Sequence, residues 1–206
     1  MYTPAHFAGD DRSRAEFLSS IEVAHLVTMT DDGLTATFLP LIFAPEQGDD
    51  GALLGHVARK NDQWRRPAHG DALVIAHGED AYITPTWYAT KKEHGRVVPT
   101  WDYTTAHIYG QLRIRDDPVW VDALVRRLTE RHESRRAESW SVDDAPAGFH
   151  AGQLRAIVGV ELLVSRVEAK FKMSQNRSEA DIDGVVDGLS ADGLPHFAEL
   201  VQQLRP

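Results

Sequence analysis

The chain has 206 residues, of which 42% are hydrophobic and 26% charged, and this balance is typical of a globular protein with one sizeable core. It contains no cysteine, which excludes disulfides, thiolate catalysis and cysteine-based zinc sites. The formal net charge of −9 argues against a general nucleic-acid binder, because basic residues that neutralise phosphates supply most non-specific affinity.

The first half of the chain predicts one helix followed by several strands. DDRSRAEFLSSI begins with aspartates that can cap a helix. AHLVTMTDDGLTATFLPLIFAP holds two β-rich runs around Asp32-Gly33, which is typical of a hairpin. Further along, the sequence predicts a strand in GALLGHVA, a short helix in NDQWRRPAHG, and two strands in DALVIAHG and AYITPTWY, the second broken by a proline.

The second half predicts two long strands and three helices. WDYTTAHIYGQLRIRD alternates as a central strand does, and AIVGVELLVSRVEAKFKM is the final strand. Asp117-Pro118 caps a helix in VWVDALVRRLTERHE, and EADIDGVVDGL and PHFAELVQQL close the chain as helices. KKEHGRVVPT is expected to be a mobile loop. Because helices and strands do not alternate regularly, the sequence predicts an α+β fold, a β-barrel with peripheral helices.

Targeting and catalytic motifs point to no specialised class. No apolar run approaches the roughly 20 residues of a membrane span, and MYTPAHFAGDDRSR lacks a signal core, so we expect a cytoplasmic protein without membrane association. GxGxxG, P-loop, HExxH and GxSxG motifs are missing, and the ten histidines show no zinc-ligand spacing. We therefore assign no catalytic residue and no metal site.

Four segments mix aromatic residues with hydrogen-bonding groups: GHVARKN, YITPTWY, VPTWDYTTAHIYG and KFKMSQNR. Their aromatic side chains could wall a site for a planar ring, although a core or a subunit interface fits the spacing equally well. The polar run in KFKMSQNR suits an anion or the edge of a heterocycle, or a solvated strand end.

These segments, together with MYTPAHF and LPLIF, resemble the PaiB family, described as FMN-binding negative transcriptional regulators. The resemblance runs from Met1 to about Gly188. It implies a split β-barrel of the flavin-reductase and pyridoxamine-phosphate-oxidase type, a single domain over residues 1–206 with C-terminal helices from about 178. It also implies a homodimer with ligand sites at the subunit interface. Asp62 stands where the family usually has proline, and Asp102 where asparagine is common.

The resemblance and the local chemistry together give a set of candidate FMN-binding residues. These are His56, Arg59, Lys60, Asn61, Tyr82, Thr84, Trp87, Trp101, Tyr103, His107, Lys172, Ser174, Gln175 and Asn176. Arg59 and Lys60 are expected to hold the phosphate, because a helix beginning at Asn61 would add free N–H groups and a positive dipole end.

Three functions are compatible with the sequence. The first is a dimeric FMN-binding protein with a regulatory or undefined redox role, and the second is a flavin-dependent oxidoreductase. The third is a haem-binding or haem-handling protein, with His6, His56 and His107 as candidate axial ligands. Since no helix-turn-helix motif is present and the chain is acidic, we expect no direct DNA binding without another factor.

Overall fold

The computed structural model describes the whole chain, residues Met1–Pro206. The strands are β1 (Val23–Thr30), β2 (Gly33–Ala44), β3 (Ala52–Ala58), β4 (Ala72–Ile83), β5 (Thr100–Arg115) and β6 (Ile157–Lys172). The helices are α1 (Asp11–Ser20), α2 (Thr90–His94), α3 (Pro118–Glu133), α4 (Ala147–Leu154), α5 (Glu179–Ala191) and α6 (Pro195–Gln203). Short 3₁₀ turns lie at Ala5–Phe7, Asp62–Arg65, Pro85–Trp87 and Val142–Asp144.

The six strands form a closed barrel in the order β1–β2–β3–β6–β5–β4. β1 and β2 are an antiparallel hairpin that pairs Thr30 with Gly33 across the two-residue turn, and Gly33 has a φ of 101°. Glycine suits this position, because side chains rarely tolerate positive φ. The predicted hairpin and the predicted α+β barrel with peripheral helices are confirmed.

Helix boundaries follow from local capping chemistry. The Asp117 side chain accepts a hydrogen bond from the Val119 N–H, and Pro118 occupies the first turn of α3. The Ser178 side chain accepts one from the Asp181 N–H at the start of α5. Each side chain satisfies a backbone donor that would otherwise lack an intrahelical partner.

The chain forms two compact units, and β4, β5 and β6 contribute residues to both. The first comprises Met1–Phe17, His77–Ala106 and Glu168–Pro206. Its core joins Ile83, Tyr88 and Met173 to apolar residues of α5 and α6. The second comprises Leu18–Ala76 and His107–Val167. In this unit Leu124 and Leu128 of α3 pack on Ile42, Ala44, Ala52 and Leu54, which lie on β2 and β3.

The second unit leaves one sheet face uncovered. Val23, His25, Val27 and Met29 of β1 pair with Pro40, Phe38, Ala36 and Leu34 of β2, and all eight are at least partly exposed. We call these eight residues the hairpin face. Leu34 is 71% exposed and Phe38 is 60% exposed, whereas the intervening β1 residues Ala24, Leu26 and Thr28 are buried. The hairpin face, with His25 as its one polar residue, is therefore mostly apolar on the outside of the sheet.

Three predicted elements differ from the structure. The two strands predicted in DALVIAHG and AYITPTWY are one continuous strand, β4. Pro85 does not break it, because the strand ends at Ile83 and the proline lies in the 3₁₀ turn that follows. NDQWRRPAHG yields only the four-residue 3₁₀ turn Asp62–Arg65. KKEHGRVVPT is not entirely a loop, because it contains most of α2.

Candidate functional site

Residue His56 on β3 borders a cavity of about 340 Å³ beside α3. Its lining residues are Pro40, His56, Val125, Leu128, Thr129, His132, Glu133 and Trp140. We call this space the His56 cavity. Its size lies near the lower end of the range for small-molecule sites, and its walls are mostly apolar, as such sites usually are.

The ring of His56 supplies a polar atom that the protein leaves unsatisfied. Its Nδ1 is buried and has no hydrogen-bond partner. Burial lowers the pKa of His56, because the charged imidazolium is poorly solvated there. Beside the cavity, His56 thus carries a buried ring nitrogen without a partner, and any hydrogen bond to it would remove the cost of leaving it unpaired.

The partly exposed side chain of Arg59 is already bonded to other residues of the chain. Its Nη1 and Nη2 donate to Asp116 at 2.9 and 2.5 Å, and its Nε donates to the Arg155 carbonyl at 2.7 Å. Nη2 also lies 3.1 Å from the Ile157 carbonyl. The bidentate geometry that would suit a phosphate is therefore already used on a carboxylate.

Lys60 and Asn61 have different roles from each other. Lys60 is exposed and makes no hydrogen bond or ion pair. Asn61 accepts from the Gln63 N–H at 2.9 Å and donates to Thr37 Oγ1 at 2.9 Å, so its side chain closes the 3₁₀ turn against β2. The expected helix beginning at Asn61 is absent, and a single 3₁₀ turn has no sizeable dipole to offer an anion.

In the first unit, two predicted aromatic residues are exposed side by side. Tyr82 on β4 and Trp101 on β5 are 49% and 54% exposed. Their ring centroids are 5.9 Å apart at 70°, an edge-to-face contact. Their exposure leaves ring surface available to another molecule.

Lys172 and Ser174, at the end of β6, converge on Asp102. Lys172 Nζ lies 2.8 Å from Thr100 Oγ1 and 3.2 Å from Asp102 Oδ1, and it also donates to the Trp101 carbonyl. Ser174 Oγ donates to Asp102 Oδ2 at 2.6 Å. The Asp102 side chain is fully buried, and this burial raises its pKa although Ser174 and Lys172 act in the opposite direction.

The other candidates in the first unit mostly stabilise local structure. Thr84 caps the 3₁₀ turn Pro85–Trp87. Trp87 packs so closely on α5 that a Cβ at Gly188 would lie 2.3 Å from its ring. Gln175 bonds to the backbone of Phe171 and Met173, and Asn176 is exposed. Tyr103 lies beneath the ammonium groups of Lys170 and Lys172, 5.3 and 6.0 Å from its ring centroid.

The three histidines proposed for haem have different surroundings. His6 is exposed in the first unit and contacts Phe7 edge-on, with ring centroids 4.1 Å apart. His56 borders the cavity described above, and His107 is half-buried on β5 in the second unit. Of these, His56 alone among the chain's histidines has a buried ring nitrogen without a partner.

The sequence-based candidates omit the helical wall of the His56 cavity. The helical wall consists of residues at the spacing of one helix face: Val125, Leu128, Thr129 and His132. This spacing could have indicated that one face of α3 borders a cavity or another element. That Pro40 and His56 line the same cavity carries no local signal, because it depends on how β2 and β3 pair.

Solved structures similar to this chain define the class as a split barrel. The flavocytochrome Anf3 from Azotobacter vinelandii superposes with a TM-score of 0.56 at 13% identity, covering 84% of this chain and 73% of that one. The FAD and heme binding protein from Mycobacterium smegmatis gives 0.56 at 15% identity, covering 84% and 77%. At these identities the similarity concerns the fold alone.

Sequence comparison then gives the family. Residues 1–166 match the family described as "Putative FMN-binding domain", and the chain belongs to it. The chain is 30% identical over 204 residues to Protease synthase and sporulation protein PAI 2 of Bacillus subtilis (strain 168), covering 98% of this chain and 95% of the relative. An uncharacterized protein of Saccharomyces cerevisiae is 30% identical over 162 residues, covering 69% and 96%. The expected PaiB-type relationship is confirmed.

None of the helices is both long enough and apolar enough to cross a membrane.

Proposed function

We propose that this protein binds FMN with the isoalloxazine ring in the His56 cavity and uses it in electron transfer. The observation that carries the proposal is the mostly apolar cavity of about 340 Å³, bordered by His56, whose buried Nδ1 has no hydrogen-bond partner. A flavin ring is planar and largely apolar, with hydrogen-bonding groups along its edge. These features fit mostly apolar walls with a few polar side chains, among them the imidazole of His56.

The chain's own residues would hold and orient this ring. His56 bonds to its polar edge, either as acceptor or as donor depending on the tautomer, while Val125 and Leu128 cover its apolar part. Bound FMN supplies the capacity to accept and release electrons, so the protein needs no dedicated acid or base for that step.

We assign the phosphate charge to Lys60 and not to Arg59. Lys60 has no partner within the chain, whereas Arg59 is held by Asp116 and two carbonyls. Lys60 follows His56 by four residues, so their Cα atoms are at most roughly 14 Å apart. A phosphate on a ribityl chain extending from the cavity can approach that ammonium as a point charge.

We further propose a homodimer in which the hairpin face of one copy packs against the second copy. Its support is the run of exposed apolar side chains on paired strands, with Phe38 60% exposed and in ring contact with His25 at 5.0 Å. Pro40 belongs both to the hairpin face and to the lining of the His56 cavity. A second copy would therefore cover the sheet directly beside the proposed ring site.

Ligand titration tests the cofactor proposal. FMN and riboflavin are titrated separately into apo wild type, Lys60→Ala and, as a matched control, Lys92→Ala, an exposed lysine of α2. Lys60→Ala should weaken FMN about tenfold, since a charge-assisted contact is lost, and leave riboflavin within about twofold. Lys92→Ala should change neither ligand.

Two further variants separate Arg59 from Lys60. Asp116→Asn removes the negative charge that pairs with Arg59, and we expect FMN affinity to stay within about twofold. A clear gain in FMN affinity in Asp116→Asn would show that Arg59 binds the phosphate. So would a loss of FMN affinity in Arg59→Ala that leaves riboflavin affinity unchanged. A Soret band in the purified protein, with no flavin binding, would overturn the cofactor assignment in favour of haem.

A further inference from the structure

The Tyr82, Trp101 and Lys172 side chains of the first unit form a second candidate site, which we call the Trp101 surface. The cation and the exposed rings would at first favour an aromatic anion, since rings supply stacking and lysine supplies charge. The hydrogen bonds of Lys172 argue for a different ligand.

The ammonium of Lys172 has no donor left for a ligand. A lysine has three N–H donors, and here they are directed to Thr100 Oγ1, the Trp101 carbonyl and Asp102 Oδ1. Its side chain is only 20% exposed. An incoming anion would have to displace one of these bonds before it could be held.

The charge of Lys172 is also compensated at close range. Asp102 Oδ1 accepts from Lys172 and Oδ2 accepts from Ser174, so both carboxylate oxygens receive donors, as suits the ionised form. Ser174 holds this position with a φ of 62°, the one positive φ of a non-glycine residue in the chain. Such backbone strain persists where the surroundings fix it and is frequent at functional sites.

We propose that the Trp101 surface binds an uncharged planar molecule, and that Asp102 sets this selectivity by neutralising Lys172. Trp101 and Tyr82 supply the stacking and edge contacts, and Asp102 removes the net charge that would attract an anion. The site is independent of the FMN proposal, because it uses none of the residues assigned to the ring or phosphate.

A pair of probes that differ in charge tests this inference. 2-Naphthamide is uncharged, and 2-naphthoate has the same ring system with a carboxylate. Their affinities for the apo protein are measured by calorimetry near neutral pH. Wild type should bind 2-naphthamide about tenfold more tightly than 2-naphthoate, and Trp101→Ala should lose the binding of 2-naphthamide. Phe149→Ala, which removes a 60% exposed aromatic of the second unit, should retain it.

The Asp102→Asn variant keeps the shape of the side chain but removes its charge. We expect it to bind 2-naphthoate about tenfold more tightly than wild type does and 2-naphthamide within about twofold. Equal wild-type affinity for the two probes, a preference for 2-naphthoate, or unchanged binding in Trp101→Ala would each overturn the proposal. Because Trp101 is exposed, its variant should fold even if the buried Asp102 substitution does not.

Discussion

At the residue scale, His56 links the cavity to the pH dependence of folding. Its burial lowers the pKa of His56 below the ordinary value of 6.5. Just below pH 6.5, His56 therefore binds a proton in the unfolded chain but stays mostly neutral in the folded protein. Wild type should therefore lose stability as the pH falls from about 7.5 to about 5.5, and His56→Leu should lose less. Urea unfolding at the two pH values measures the difference.

An exposed histidine provides the control for this effect. His94 is exposed in α2, and His94→Leu should keep the wild-type loss between the two pH values. If wild type and His56→Leu lost the same stability between the two pH values, His56 would accept a proton in the folded protein without cost. The inference that His56 is a neutral imidazole beside the cavity would then be wrong.

The sequence predicted which residues carry functional groups, but not which residues they bond to. GHVARKN and KFKMSQNR were recognisable as polar stretches at strand ends, and both His56 and Lys172 came from them. The pairing of Arg59 with Asp116 spans 57 residues, and that of Lys172 with Asp102 spans 70. Periodicity and capping chemistry do not reach so far along the chain, so which donors stay free could be read only from the tertiary structure.

At the element scale, Asp122 of α3 stabilises the neighbouring α4. It lies 2.5 Å from His150 Nε2 and 2.9 Å from Arg126 Nε, and Arg126 also pairs with Asp143 at 2.9 Å. The hydrogen bonds of His150 and Arg126 lower the pKa of Asp122. Asp122→Asn should cost about 1 kcal/mol of unfolding free energy at neutral pH.

The pH dependence of this contribution has a defined sign. Because the folded pKa of Asp122 lies below the ordinary 3.8, the stabilisation is present above that value and is lost as the pH falls through the lowered pKa. Wild type and Asp122→Asn should therefore converge in acid. In Asp122→Asn, amide hydrogen exchange should be faster than in wild type for α4 and unchanged for α6. Equal acceleration in both helices would contradict a local role for Asp122.

Elements with local signals were predicted well. The Asp117-Pro118 cap, the hairpin at Asp32-Gly33 and the helix after Ser178 depend on neighbouring residues only. The continuity of β4 was missed, because it passes through Gly78, which sequence rules treat as an interruption. A Cβ there would lie 2.0 Å from Thr104 Oγ1, so the glycine serves a close approach to β5. α4 was missed as well, since AGFHAGQL has two glycines and no capping side chain.

At the scale of the whole molecule, the apolar hairpin face is the feature that a lone chain explains least. Burial alternates along β1 and the first half of β2, but apolar residues also occupy most of the outward positions, which a solvated sheet would fill with polar ones. The β-rich composition and the Asp32-Gly33 turn therefore located the strands without revealing that both of their faces need cover. Exposed apolar patches of this kind commonly mark an interface.

The dimer proposal makes a matched pair of predictions about mass in solution. Phe38 on the hairpin face and Phe149 on α4 are each 60% exposed. Phe38→Arg would bury an unpaired charge between two copies, which costs several kcal/mol, whereas Phe149→Arg leaves its charge in water. At micromolar concentration, light scattering should give twice 23.0 kDa for wild type and Phe149→Arg, and 23.0 kDa for Phe38→Arg. A wild-type mass of 23.0 kDa would refute the dimer, and a dimeric Phe38→Arg would place its interface elsewhere than the hairpin face.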